Sequence, residues 1–137
     1  MRAVLIALFM IFLAACSNAA EQDVNTKDIT SPQLNHTVFF DLKDDNEAAV
    51  QALVEGCYKY LAPHDGIVYF SAGPRHKEYK REVNDLDFDV AITIVFESTQ
   101  AQDAYQVTTP HKQFITEFEN NWERVRVFDS RVLPRVN

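Results

Sequence analysis

Phe88-Asp-Val-Ala-Ile-Thr-Ile-Val-Phe-Glu-Ser98 carries the strongest strand signal in the chain, and its reading decides the fold. Phe88, Val90, Ile92, Ile94 and Phe96 recur every second residue, which sends five bulky apolar side chains to one side of a strand over 87–97. The alternate set, Ala91, Thr93 and Val95, is not the polar set that water would require. This strand therefore needs cover on both faces. Ser98 follows with a side chain suited to capping a helix that runs to about Gln106.

The same reading extends upstream. His36, Val38, Phe40 and Leu42 alternate with Thr37, Phe39 and Asp41, a first strand from residue 36. Asp44, Asp45, Asn46 and Glu47 form an N-cap cluster with an acidic first turn. Val50, Leu53, Val54, Cys57 and Leu61 then fall on one helical face, which Pro63 and Gly66 close. Residues 67–72, bounded by Gly66 and Gly73-Pro74, read as a short second strand. Downstream, Thr109-Pro110 restarts a helix with proline at its first position and His111, Phe114, Ile115, Phe118 and Trp122 on its apolar face. A last strand spans 124–129, and Pro134 closes the domain.

The sum is β-α-β-β-α-β with the second helical region broken in two, an α+β protein with a four-stranded antiparallel sheet and helices on one face. Phe39, Ala91, Thr93 and Val95 remain on the other face, and two helical regions cannot cover both sides. A second copy of the chain in a two-fold homodimer is the simplest cover.

The N-terminus reads as an export signal. Arg2 supplies a positive charge, and residues 3–15 are uncharged and apolar, too short for the roughly 20 residues of a membrane-spanning helix. Leu13-Ala14-Ala15-Cys16 resembles the lipobox of bacterial lipoproteins, which implies removal of residues 1–15 and lipidation of Cys16. Ser17 rather than aspartate after the cysteine implies an exported, lipid-anchored protein of the outer membrane, facing the periplasm. Residues 16–35 turn to Ala, Asn, Gln, Thr, Ser and Asp, the composition of a tether spanning about 20–25 Å as a coil. The expected organisation is leader 1–15, tether 16–35, domain 36–132 and tail 133–137. Loss of Arg2 leaves 12 basic against 20 acidic residues, a net charge of −8. Such a domain is repelled by nucleic acid and by anionic headgroups, so nucleic acid is not an expected partner and the acyl chains must hold the membrane. Cys57 is the one other cysteine, and its place on an apolar helix face implies burial.

Five segments in order resemble the stress-responsive A/B barrel domain family, the dimeric α+β barrels called Dabb. They are His36-Thr-Val-Phe-Phe-Asp-Leu-Lys43, Asp65-Gly-Ile-Val-Tyr-Phe-Ser-Ala-Gly73, Phe88 through Ser98, Tyr105 through Pro110-His111, and Val125-Arg-Val-Phe-Asp129. The resemblance covers the whole folded part and implies a ferredoxin-like protomer whose sheet pairs with a partner's to close a barrel. Most members of the family have no established activity. In a plant polyketide cyclase of the family, a tyrosine and a histidine six residues later form the reactive centre, which carries over to Tyr105 and His111. A cavity histidine carries over to His36, while two further cavity histidines are replaced by Val90 and Thr108.

The chemistry this implies is simple. A neutral imidazole at His111 can remove a proton from an activated carbon, and the Tyr105 phenol can donate a hydrogen bond to the resulting enolate. Desolvation on an inward helix face would keep His111 neutral. An inward histidine can also merely bond a backbone carbonyl or Tyr105. Three readings follow: a module binding a small apolar ligand around His36, Tyr105 and His111; a small cyclase- or isomerase-like enzyme with His111 as base; or an envelope protein whose dimer is its purpose. Polyketide cyclisation itself is not expected outside the cytoplasm, where its acyl-carrier and coenzyme A intermediates are missing.

Neither cofactor nor metal is expected. Cys57, His64 and His76 show no zinc spacing. Glu82, Asp85, Asp87 and Asp89 read as an acidic turn before the third strand, or as a weak Mg²⁺ or Ca²⁺ site with Asp87 and Asp89 on one face. Arg75, His76, Lys77, Lys80 and Arg81 make a basic loop that is either solvated or an anion-attracting lid.

Overall fold

The computed structural model describes residues 32–133; the leader, Cys16 and nearly all of the expected tether lie outside the described residues. The elements run β1 Gln33–Leu42, α1 Glu47–Gly56, a π-helical turn Cys57–Leu61, β2 Ile67–Pro74, β3 Val90–Phe96, α2 Thr99–Gln106, α3 Thr109–Phe118 and β4 Trp122–Val132. This is the ferredoxin-like β-α-β-β-α-β order. The strands form one antiparallel sheet, β2-β3-β1-β4. β1 begins three residues before the expected 36, because Gln33, Leu34 and Asn35 pair with a β4 that continues to Val132.

Side-chain caps set the helix starts, at the expected residues for α1 and α2 and one residue earlier than expected for α3. The Asn46 side chain accepts from the Ala49 amide at 2.9 Å and opens α1. Ser98 does the same for α2 through the Ala101 amide, and Thr108 for α3 through the His111 amide. Thr108 is therefore the cap, Thr109 is the first helical residue, and Pro110 is second rather than first. After α1 the Ala62 amide reaches back five residues to the Cys57 carbonyl at 3.2 Å, which widens the last turn and keeps both Cys57 and Leu61 inside. Gly66 then turns the chain into β2 with φ +81°, a conformation a side chain disfavours.

All the helices pack on the face of the sheet that carries Val38, Phe40, Leu42, Val90, Ile92, Ile94 and Phe96, and Leu53, Cys57, Leu61, Tyr105, Phe114 and Phe118 complete that core. Leu53 is fully enclosed, so Leu53→Ala would cost about 2–5 kcal/mol. Trp122 corrects one expectation: it opens β4 instead of ending α3, which stops at Phe118. Its ring still reaches the core from the strand side, tilted against Phe40 at 5.2 Å and Phe114 at 6.0 Å.

The opposite face has no covering layer among the described residues. Phe39 lies there between Phe88 at 4.9 Å and Phe128 at 5.7 Å, and Phe128 and Tyr69 are each about half exposed. Phe88 thus sits across the sheet from Val90, contrary to the alternation expected of it. The regular strand starts only at Val90, because Asp89 bends the chain with its amide on the Phe40 carbonyl and its carboxylate on the Leu42 amide.

The same bend disposes of the acidic cluster. Asp85 pairs with Arg126, Asp87 pairs with Arg124, each at 2.6 Å, and Asp89 caps β1, so Asp87 and Asp89 do not share a face. The loop is fixed further by Arg75, which donates from its backbone amide to the Asp89 carbonyl and from Nε to the Phe88 carbonyl.

Candidate functional site

The strand register carries His36 into a corner of the core. It faces inward from β1, opposite Ile94 on one side and Asp129 on the other, and is the one buried polar residue of the core among the described residues. Its Nδ1 lies 2.6 Å from Asp129 Oδ1. A carboxylate oxygen can only accept, so Nδ1 is the protonated nitrogen.

Tyr105 arrives from the last turn of α2 and is almost completely buried. Three rings surround it: Phe96 at 5.1 Å, His64 at 4.9 Å and His111 at 4.6 Å, the two imidazoles both edge-to-face. Thr108 links the two expected site residues, donating from Oγ1 to the Tyr105 carbonyl at 2.8 Å and accepting from the His111 amide at 3.4 Å. The break between α2 and α3 is what turns both Tyr105 and His111 inward.

Electrostatics follow from burial. The Tyr105 phenol is pushed well above its ordinary value, first by desolvation and then by the neighbouring Cys57. Burial likewise pushes the Cys57 thiol up to about 12. His111 is held below the usual imidazole value, first by desolvation and then by the nearby His64 and His36, against a hydrogen bond with the Gln106 backbone that favours the charged form. At neutral pH the His111 ring is therefore uncharged.

All three expected site residues, His36, Tyr105 and His111, share one corner of the core. His64 joins them, and the sequence reading gave it no role beyond failing a zinc pattern. It follows Pro63 just past the helical turn, seven residues after Cys57, and its Nε2 donates to the Tyr60 carbonyl at 2.9 Å. That spacing extends the buried face by one position, the available signal for it. Asp129 was missed because its pairing with His36 is a matter of register between distant strands. Val90 and Thr108, where the cyclase has histidines, serve here as core and helix cap.

Two further features stand apart. A groove of about 430 Å³ is lined by Tyr60, Thr109, Lys112, Gln113, Thr116 and Glu117, along the side of α3 that faces away from the ring cluster. The basic loop is no lid over the cluster: it precedes Val90, whereas Tyr105 packs on Phe96 at the far end of β3, roughly 20 Å away. Among the described residues no group of three or more histidine, cysteine or acidic side chains is arranged to hold a metal ion.

A ferredoxin-like sheet with one bare apolar face and a tyrosine–histidine corner under its helices defines a protomer of the α+β barrel class. The chain belongs to the Stress responsive A/B Barrel Domain (Dabb) family, whose model matches residues 34–132. Solved structures agree on the fold. A Dabb family protein from Mesorhizobium loti superposes with TM-score 0.62 at 18% identity, covering 76% of this chain and 100% of its own. A dimeric ferredoxin-like protein of unknown function from Thermobifida fusca gives 0.63 at 12% identity, covering 75% and 93%. A hydroxynitrile lyase from Passiflora edulis gives 0.61 at 16% identity, covering 77% and 97%. No curated protein matches the sequence.

Proposed function

We propose that this chain is a lipid-tethered homodimer of the cell envelope that binds a small, partly apolar molecule at the corner formed by His36, His64, Tyr105 and His111. The observation that carries this reading is the setting of Tyr105. At one corner of the core the buried Tyr105 ring meets the half-buried imidazoles of His64 and His111 edge-on, with the buried His36 imidazole and the Cys57 thiol close by, a concentration of polar groups that packing alone does not require. The lipobox-like Leu13-Ala14-Ala15-Cys16 supports the tether. The bare face around Phe39, Phe128 and Tyr69, and the dimeric state of the Thermobifida fusca neighbour, support the homodimer. Small molecules extracted from purified wild-type protein and from His111→Ala test the binding site. The reading expects a compound that accompanies the wild type and is depleted in the variant; equal recovery from both proteins contradicts it.

A second reading rests on the neutral state of His111. An uncharged imidazole edge-on to a phenol can take a proton from a carbonyl compound while the phenol steadies the developing oxyanion. That one relative of this fold is a hydroxynitrile lyase adds to this reading. His111→Ala separates the two: an enzyme loses turnover with its fold retained, whereas a binding module has no turnover to lose.

A further inference from the structure

The bare face of the sheet is lopsided. Its β1–β4 half carries a ridge of rings: Phe39 stands edge-to-face with Phe88 at 4.9 Å and with Phe128 at 5.7 Å, and the Arg126 guanidinium lies over Phe39 at 5.8 Å. Its β2–β3 half carries short side chains. Gly73 pairs with Ala91 and Ser71 with Thr93, and Ala91 and Thr93 pair in turn with Phe39 and Thr37 of β1.

Gly73 serves nothing within its own chain among the described residues. Its φ is not positive, and a Cβ added to it would meet no atom within 4 Å. A glycine inside a strand weakens it and marks a place where another group comes close. The polar groups of the face are meanwhile settled internally: Arg126 pairs with Asp85, Arg124 pairs with Asp87, and the Asn35 amide donates to the Thr37 and Ser130 hydroxyls. Covering the face therefore leaves neither arginine without its counter-charge.

Packed sheets stand about 10 Å apart, a gap that a phenyl ring from one side fills and two short side chains leave empty. We infer that the face is self-complementary: the Phe39–Phe128 ridge of each copy seats in the trough formed by Ser71, Gly73, Ala91 and Thr93 of the other. The two-fold axis then runs along the strands and lays β1 and β4 over the partner's β3 and β2. An axis across the strands would set ridge on ridge and leave both troughs empty. A second copy is the occupant because it brings rings to both troughs at once. The inference rests on the proposed homodimer and goes beyond it by fixing which strands meet.

The test pairs two full-length variants, purified separately, mixed in equal amounts and weighed by native mass spectrometry. Gly73→Leu fills the trough, at a site where the open space lets the fold accept it, and Phe128→Ala removes the ridge at a half-exposed site. Circular dichroism checks each fold, and Ser71→Leu is the second filler. Each variant alone raises the dimer dissociation constant about tenfold or more. The mixture restores dimers, with heterodimers well above the half that random pairing gives, because one copy's filled trough meets the other's missing ridge. Variant homodimers as tight as wild type, random pairing, or a mixture that stays monomeric each overturn the interlock while the wild-type homodimer stands. A monomeric wild type overturns the homodimer and the interlock together.

Discussion

The rings of Tyr105 and His111 meet edge-to-face with centroids 4.6 Å apart, and the Thr108 hydroxyl bridges their backbones. Two helices, one cap and one helix break are spent on that contact. Its surroundings hold the imidazole neutral and the phenol protonated, so either residue can accept or donate a hydrogen bond without carrying charge.

His111 makes stability depend on pH in a defined direction. Its folded value lies below the unfolded one, so between the two the unfolded chain binds more protons. Stability from this group is then complete above about pH 6.5 and falls as pH drops through that value. Urea unfolding from pH 7.5 to 5 should show the decline, and His111→Phe should flatten it. An unchanged slope in the variant would assign the effect elsewhere.

The His36–Asp129 pair predicts a cost for Asp129→Asn. The buried imidazole keeps its place but loses a charge-assisted partner, for a destabilisation of about 1–3 kcal/mol by chemical denaturation. A neutral outcome would mean that water satisfies His36 as well as the carboxylate does.

Cys57 should be chemically silent in the folded protein. With its thiol fully buried and raised to about 12, almost no thiolate exists at pH 8. Reaction with a disulfide reagent should follow global unfolding, and rapid labelling of the native protein would contradict the packing around Tyr105.

Gly56 ends α1 against the Phe118 ring of α3, and a Cβ there would run into that ring. Gly56→Ala should cost about 1–3 kcal/mol despite the better helix propensity of alanine. Combining it with Phe118→Leu should recover part of the loss, because the smaller side chain vacates the contact. Additive losses would show that the helices do not meet there.

Much of this was legible in the sequence, for physical reasons that differ from residue to residue. The alternation through β1 and β3 is local, so strands and their buried sides could be read directly, as could the caps at Asn46 and Ser98. Phe88 and Trp122 were misplaced because each sits just outside a regular element, where periodicity no longer dictates direction: Asp89 bends the first away, and the end of α3 releases the second into β4. The pairing of His36 with Asp129 depends on a register between residues 93 positions apart, which no local pattern encodes. His64 was hidden for a similar reason, since Pro63 had already ended the helical count.

Native mass spectrometry of the protein extracted from membranes tests the central claim most directly. The account predicts a dimer carrying, beyond its lipid, a non-covalent small molecule that is lost in His111→Ala while the dimer persists. A monomer would contradict it, because the face around Phe39 and Phe128 would then need some other cover. A dimer with nothing bound in either protein would contradict the binding reading and leave proton-transfer catalysis at His111.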